Sequence, residues 1–355
     1  MNKRLFLSAC LCALFTSVSY SQTQVAAFQP GVGANGVTYA LPRTQLRVDA
    51  YAIQTTFTPG EFAKYAERYL HIQNVKQERE VRYKLLNVVL QPEGFPDTTK
   101  IYTVKLKDNS LAPLVRLTDE GILASVNADF HVDASTDQNR FPKIKTHNKI
   151  EEAKQFLTEE ILTATSLAKM AELTAAEIYD IRESRNALMR GEVESMPKDG
   201  ASLAVVLARL DHQEQALMQL FVGYTDTLST TAAYVVKPTN DVDKEILFRF
   251  SKKLGFVDPD DMSGEPYYIN IKDQHTVTMP DVRTIAKHKI EGLVYNLPSL
   301  AQVSITDGSH ILLSAQVPIA QFGTIDQLAP VLFGKGATTQ ILFNTATGAL
   351  KELKR

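Results

Sequence analysis

The chain has 355 residues, with 38 basic and 40 acidic side chains for a net charge of −2, two cysteines and no tryptophan. So even a balance, without a dense run of Lys or Arg, excludes binding driven by nucleic-acid phosphates. No stretch beyond the first residues reaches the ~18 apolar residues of a membrane helix, and the lack of Trp weakens a carbohydrate-platform reading.

The N terminus has the form of an export signal. Lys3 and Arg4 precede an apolar run from Leu5 to Val18, and Ser19-Tyr20-Ser21 supplies small residues for cleavage before Gln22. A lipobox-like Leu7-Ser8-Ala9-Cys10 is the alternative, with only a short apolar run ahead of the cysteine. Cleavage after Ser21 removes Cys10 and Cys12. The mature chain then has no disulfide, no thiol nucleophile and no cysteine metal site.

Residues 22–35 read as a flexible leader. From Thr44 to Phe57, Leu46, Val48 and Ala50 alternate with polar residues, which predicts a half-buried strand stopped by Pro59-Gly60. The next segment sets Phe62, Tyr65, Ala66, Tyr69 and Leu70 on one face of a short helix. Strands are predicted over 81–90 and 100–106. Residues 114–127 predict a hairpin turning at Asp119-Glu120-Gly121. Residues 36–130 thus form a first β-rich portion, and 131–149 read as a linker.

Between Ile150 and Gly223 the pattern becomes helical. Leu167, Ala171, Thr174, Ile178 and Ile181 trace one seam, interrupted at Arg185, and Leu203, Leu207, Leu210, Leu217 and Phe221 trace another, interrupted at Glu214. The break near Gly191–Gly200 predicts an antiparallel hairpin over 150–228 whose register sets Arg185 opposite Glu214. That pair is expected to fix the register, since an unpaired buried charge is costly. Residues 229–355 form a second β-rich portion. It has strands near 232–239, 245–251 and 265–272, a hairpin at Asp307-Gly308, a short helix over 324–333 and a final hairpin at Thr347-Gly348.

Few motifs carry chemistry. Asp258, Asp260, Asp261 and Glu265 offer hard oxygens to Ca²⁺, but position five of an EF-hand is Met262 and position twelve is Ile269, and a solvated turn explains the same residues. The seven histidines form no zinc signature, and no nucleophile elbow is present. No cofactor is implied.

One phrase occurs twice. G-x-x-Y-x-L-P spans Gly36–Pro42 and Gly292–Pro298, each time leading into a strand-like run. Tyr39 and Tyr295 are expected to be buried rings with polar tips, and Pro42 and Pro298 to end one extended run before the next. The glycines are expected to allow an unusual backbone angle.

These phrases, with "FAKYAERYL", "IRESRNALMRGEVESMPKDG", "FRFSKKLGFVDPDDMSGEP" and "VPIAQFGTIDQLAP", resemble the exported Bacteroidetes family known as domain of unknown function 4831. The resemblance implies a Gram-negative envelope or secreted protein and transfers no catalytic residue. The expected fold is α+β, with two β-rich portions of similar order, suggestive of duplication, flanking a long antiparallel helical hairpin. The expected function is non-catalytic binding or scaffolding, with another envelope protein as partner. The alternative is an exported hydrolase of glycan or peptide with dispersed carboxylates.

Overall fold

The structure, a computed structural model, describes residues 24–27, 36–105, 115–130, 149–194, 199–278, 292–329, 332 and 339–354. In chain order the first strands are β1 (Gln24–Ala27), β2 (Gly36–Thr58), β3 (Glu80–Lys105), β4 (Val115–Leu117) and β5 (Leu123–Val126). A single turn of 3₁₀ helix leads into α1 (Ala66–Leu70) between β2 and β3. The helices α2 (Lys149–Lys154), α3 (Glu159–Leu162), α4 (Leu167–Arg190) and α5 (Gly200–Val222) follow. The rest is β6 (Tyr224–Val236), β7 (Val242–Ser251), β8 (Gly255–Val257), β9 (Glu265–Asp273), β10 (Leu293–Thr306), β11 (Ile311–Leu328), β12 (Gln340–Phe343) and β13 (Leu350–Lys354).

Three sheets result, ordered β1-β3-β2-β6, β11-β10-β9-β7-β8 and β13-β12-β5-β4. The fold is a strand-rich α+β arrangement. The predicted alternation in β2 is real: Leu46, Val48, Ala50 and Ala52 are almost completely buried. They meet Phe248, Ile269, Val303 and Ile319 of the second sheet in one core, so two sheets pack face to face. A second core gathers Tyr39, Tyr102, Leu123, Tyr295, Ile341 and Phe343, where all three sheets meet.

The two β-rich stretches do not close on themselves. β6 pairs along β2 in the first sheet, and β12 pairs with β5 across more than 200 residues of sequence. β1 lies inside the stretch read as a leader, and the linker residues 131–148 fall outside the described residues.

Three elements differ from expectation. The strands at 81–90 and 100–106 are parts of one strand, β3, which stays extended through Pro92 and Pro96. There, among the described residues, β3 has a strand neighbour on the β2 side alone, because β1 pairs only with residues 102–105. A proline on an open edge forfeits no ladder bond. Within the predicted helix at 324–333, residues 324–328 are instead the end of β11, with Thr324 opposite Leu297 and Leu328 opposite Leu293, and most of 329–333 lies outside the described residues. Pairing with β10 decides a segment whose apolar spacing suits either structure. Finally, the return to strand comes at Tyr224, directly after Gly223 (φ +77°) ends α5. The predicted turns stand at Gly121, Gly308 and Gly348, all with φ between +74° and +93°.

The helices follow their seams. Ser166 and Asp199 cap α4 and α5 by accepting the Lys169 and Ser202 N–H. Ala171, Thr174, Ala175, Ile178 and Ile181 of α4 are buried with Ala216, Leu217, Leu220 and Phe221 of α5, against Phe62, Ala66 and Leu70 at α1. Beyond Ile181, and before Ala216, the two helices bury no side chain fully. Their far ends therefore expose Met189, Val205 and Val206.

Candidate functional site

Residues of both copies of the repeated phrase lie in one buried core. Tyr39 and Tyr295 are buried, at 1% and 8% exposure, each near the start of its strand. The Tyr39 hydroxyl accepts the Val294 N–H at 3.0 Å and donates to the Val294 carbonyl at 3.2 Å. Burial raises that phenol far above its ordinary range. The Tyr295 hydroxyl donates to Asp326 Oδ2 at 2.9 Å, and burial followed by that carboxylate pushes it up to about 12. The two copies of the phrase thus touch, and Asn296 Nδ2 adds a bond to the Pro42 carbonyl at 2.9 Å. Replacing Tyr39 with Phe is expected to cost about 1–3 kcal/mol in urea denaturation, because it leaves the buried Val294 N–H and carbonyl without that partner. Unchanged stability would show the hydroxyl to be dispensable.

The prolines do not end their strands. Each marks the same change of register: β2 passes from Ala40 opposite Ile101 to Pro42 opposite Pro96, and β10 from Leu297 opposite Thr324 to Ser299 opposite Ile319. Leu41 and Pro298 therefore stand opposite Asp97–Lys100 and Ala320–Gly323. Within the second excursion, the Gln321 side chain exchanges bonds with the Thr44 backbone and donates to the Pro238 carbonyl at 2.7 Å. Gly292 serves close approach rather than an unusual angle, since a Cβ there would lie 1.9 Å from the Leu328 carbonyl oxygen.

Arg185 lies on α4 with Nη1 at 2.6 Å from Glu214 Oε2 and 2.7 Å from Asp211 Oδ1 on α5. Arg182 joins the cluster through Nε at 2.5 Å from Glu214 Oε1. The side chains are only partly covered, Arg185 at 28% and Glu214 at 13% exposure, so this is a rim network and not a sealed charge pair.

The acidic loop is organised around an internal cation. Arg249, 9% exposed, donates through Nε to the Pro259 carbonyl at 2.6 Å and through Nη1 to the Gly264 carbonyl at 3.0 Å. Asp258, Asp260 and Glu265 face solvent, while Asp261 accepts the Ser263 N–H at 2.8 Å, which holds its carboxyl below the ordinary range. Among the described residues no three His, Asp or Glu side chains converge as a metal-binding group.

Ser299, Asp273 and His275 also meet, with Asp273 in the middle. Ser299 Oγ donates to Asp273 Oδ1 at 2.6 Å, and His275 Nδ1 is 3.0 Å from Asp273 Oδ2. Nucleophilic catalysis needs the imidazole between serine and carboxylate, so this order cannot activate the hydroxyl. His275 is 83% exposed and Ser299 is buried.

A cleft of about 480 Å³ opens where β2 and β6 run past the sandwich core. It is lined by Gln54, Thr56 and Thr58 of β2, by Tyr224, Asp226 and Leu228 of β6, and by Arg79. Register explains the grouping, because Gln54, Thr56 and Thr58 stand opposite Leu228, Asp226 and Tyr224. Neither the Arg79 nor the Asp226 side chain has a hydrogen bond or ion pair among the described residues. Sequence reading missed the β6 side of this cleft by placing 224–228 in the helical region. The available signal was the β-branched run Thr225, Thr227, Thr230, Thr231.

β6 is also an open edge. It pairs with β2 from Leu46–Val236 to Thr58–Tyr224 without a bulge, and no described strand lies on its other side. Among the described residues no helix is long and apolar enough to cross a membrane. No curated protein and no solved structure matches this chain. One family model does, across residues 35–351, and the chain belongs to that family, described as a domain of unknown function (DUF4831).

Proposed function

We propose that this is an exported, non-catalytic binding protein of a Bacteroidetes cell envelope that captures an extended polypeptide segment of another envelope protein along β6. The observation that carries this reading is the β6 edge itself. Sheet edges in isolated proteins are short, bulged, or guarded by Lys and Pro. The other outer strands follow that rule: β4 and β8 have three residues, β13 carries Lys351 and Lys354, and β11 carries Pro318 and a register break. β6 has 13 residues with no Pro, no Lys and no bulge, and it exposes Leu228 and Val235. Strand addition supplies main-chain bonds for affinity and alternate side-chain positions for choice of partner.

The export signal supports an envelope location. The ion pairs between α4 and α5 support an antiparallel hairpin that holds the cleft end of β6 through Gly223. The register change shared by the two phrases supports an old duplication of the β2–β3 and β10–β11 pairs. The test is photo-cross-linking in native envelope from position 227, compared with the double variant Leu228→Lys, Val235→Lys. A discrete cross-linked partner that the variant loses supports strand addition. A partner retained by the variant, or cross-links absent at 227 but present on the helices, overturns it.

A further inference from the structure

Within Tyr224–Val236 the only charged side chain is Asp226. It lines the cleft half-buried and unpaired among the described residues, with Tyr224 and the 46%-exposed Leu228 on the same face at two-residue spacing. Arg79, the other charge of the cleft, immediately precedes β3 on the far side of β2. Two strand spacings put its backbone about 10 Å from β6, and its side chain makes no ion pair with Asp226. At the opposite end of β6, Lys237 is already engaged, with Nζ 4.8 Å from the centre of the Phe95 ring. A strand laid along β6 therefore meets one unanswered negative charge with apolar neighbours.

We infer that the segment bound at β6 is an extended peptide carrying Lys or Arg opposite Asp226 and an apolar residue two positions away, opposite Leu228. This rests on the strand-addition reading above. Directly opposed side chains on one sheet face lie about 5 Å apart, where opposite charges stabilise and like charges oppose pairing. A partly buried carboxylate is screened less than one in open solvent, so its preference survives physiological salt. A second copy of the chain offers Asp226 no basic residue at any register within β6. Charge complementarity thus selects a basic heterologous segment over self-pairing.

The experiment measures fluorescence anisotropy of three labelled nonapeptides of alternating Val and Thr, with Lys, Gln or Glu at the central position, against the full chain. The Lys peptide is expected to bind about 2- to 5-fold more tightly than the Glu peptide, the range a single cross-strand charge pair provides. Asp226→Asn should erase the difference, and Asp226→Lys should reverse it. Equal binding of all three peptides that Asp226→Lys leaves unchanged overturns the charge rule and leaves strand addition standing. Absence of binding by every peptide overturns strand addition together with this inference. Concentration-dependent dimerisation that Leu228→Lys abolishes would make a second copy the occupant and also overturn it.

Discussion

Replacing Phe248 with Ala is expected to destabilise the protein by about 3–5 kcal/mol, the usual cost of removing a fully buried aromatic ring. Phe248 sits on β7 with no exposure. Its ring stacks on Tyr267 of β9 at 4.8 Å between centroids, and on Tyr234 of β6 at 5.1 Å, with interplanar angles of 11° and 14°. Phe256 of β8 closes the cluster edge-on at 5.8 Å. Tyr234 belongs to the first sheet and the other three to the second, so one ring spans the sandwich. Phe248→Leu keeps part of the volume and should cost less. Urea midpoints at unchanged slope measure the difference. A loss under about 1 kcal/mol for Phe248→Ala would mean that the sheets are joined mainly elsewhere, contrary to the packing described.

Gly323→Ala is expected to cost about 3 kcal/mol, the upper end of overpacking, because the new methyl has nowhere to go. A Cβ at Gly323 would lie 1.8 Å from the Leu297 carbonyl oxygen and 2.8 Å from Pro298 Cα, both backbone atoms. The position sits inside the excursion of β11 opposite Pro298, so relief requires moving the register change itself. Gly200→Ala is the control: at the first turn of α5, a Cβ there meets nothing within 4 Å, and alanine favours the helix. Equal stability of the two variants would contradict the close approach of β11 to β10.

Local alternation made β2 readable, because one face of it is buried and the other is not. The helical seams were readable for the same reason, and they brought Arg185 and Glu214 together from periodicity alone. The edges of elements were another matter. Nothing near Pro92 or Pro96 reveals that β3 runs past them beside a single neighbour, and nothing near Ile325 and Leu328 chooses strand over helix. Both outcomes depend on a strand elsewhere in the chain. The repeated phrase was visible as a string, yet its meaning lies in which residues stand opposite Leu41 and Pro298. The cleft was hidden most completely, since Thr56 and Asp226 are neighbours only through sheet register.

The interleaving of the sheets dictates when this protein can fold. β5 is buried along its whole length but gains its second neighbour only when Gln340–Phe343 exists, and the Tyr39 hydroxyl waits for Val294. Synthesis proceeds from the N terminus, and contacts of such sequence separation form slowly. The first half of the chain therefore stays unsatisfied until nearly all of the polypeptide is made. A chain cut short before β12 loses a central strand of the third sheet, not an appendage. Fragments ending near residue 230 should be insoluble, so binding work on this protein belongs to the intact chain.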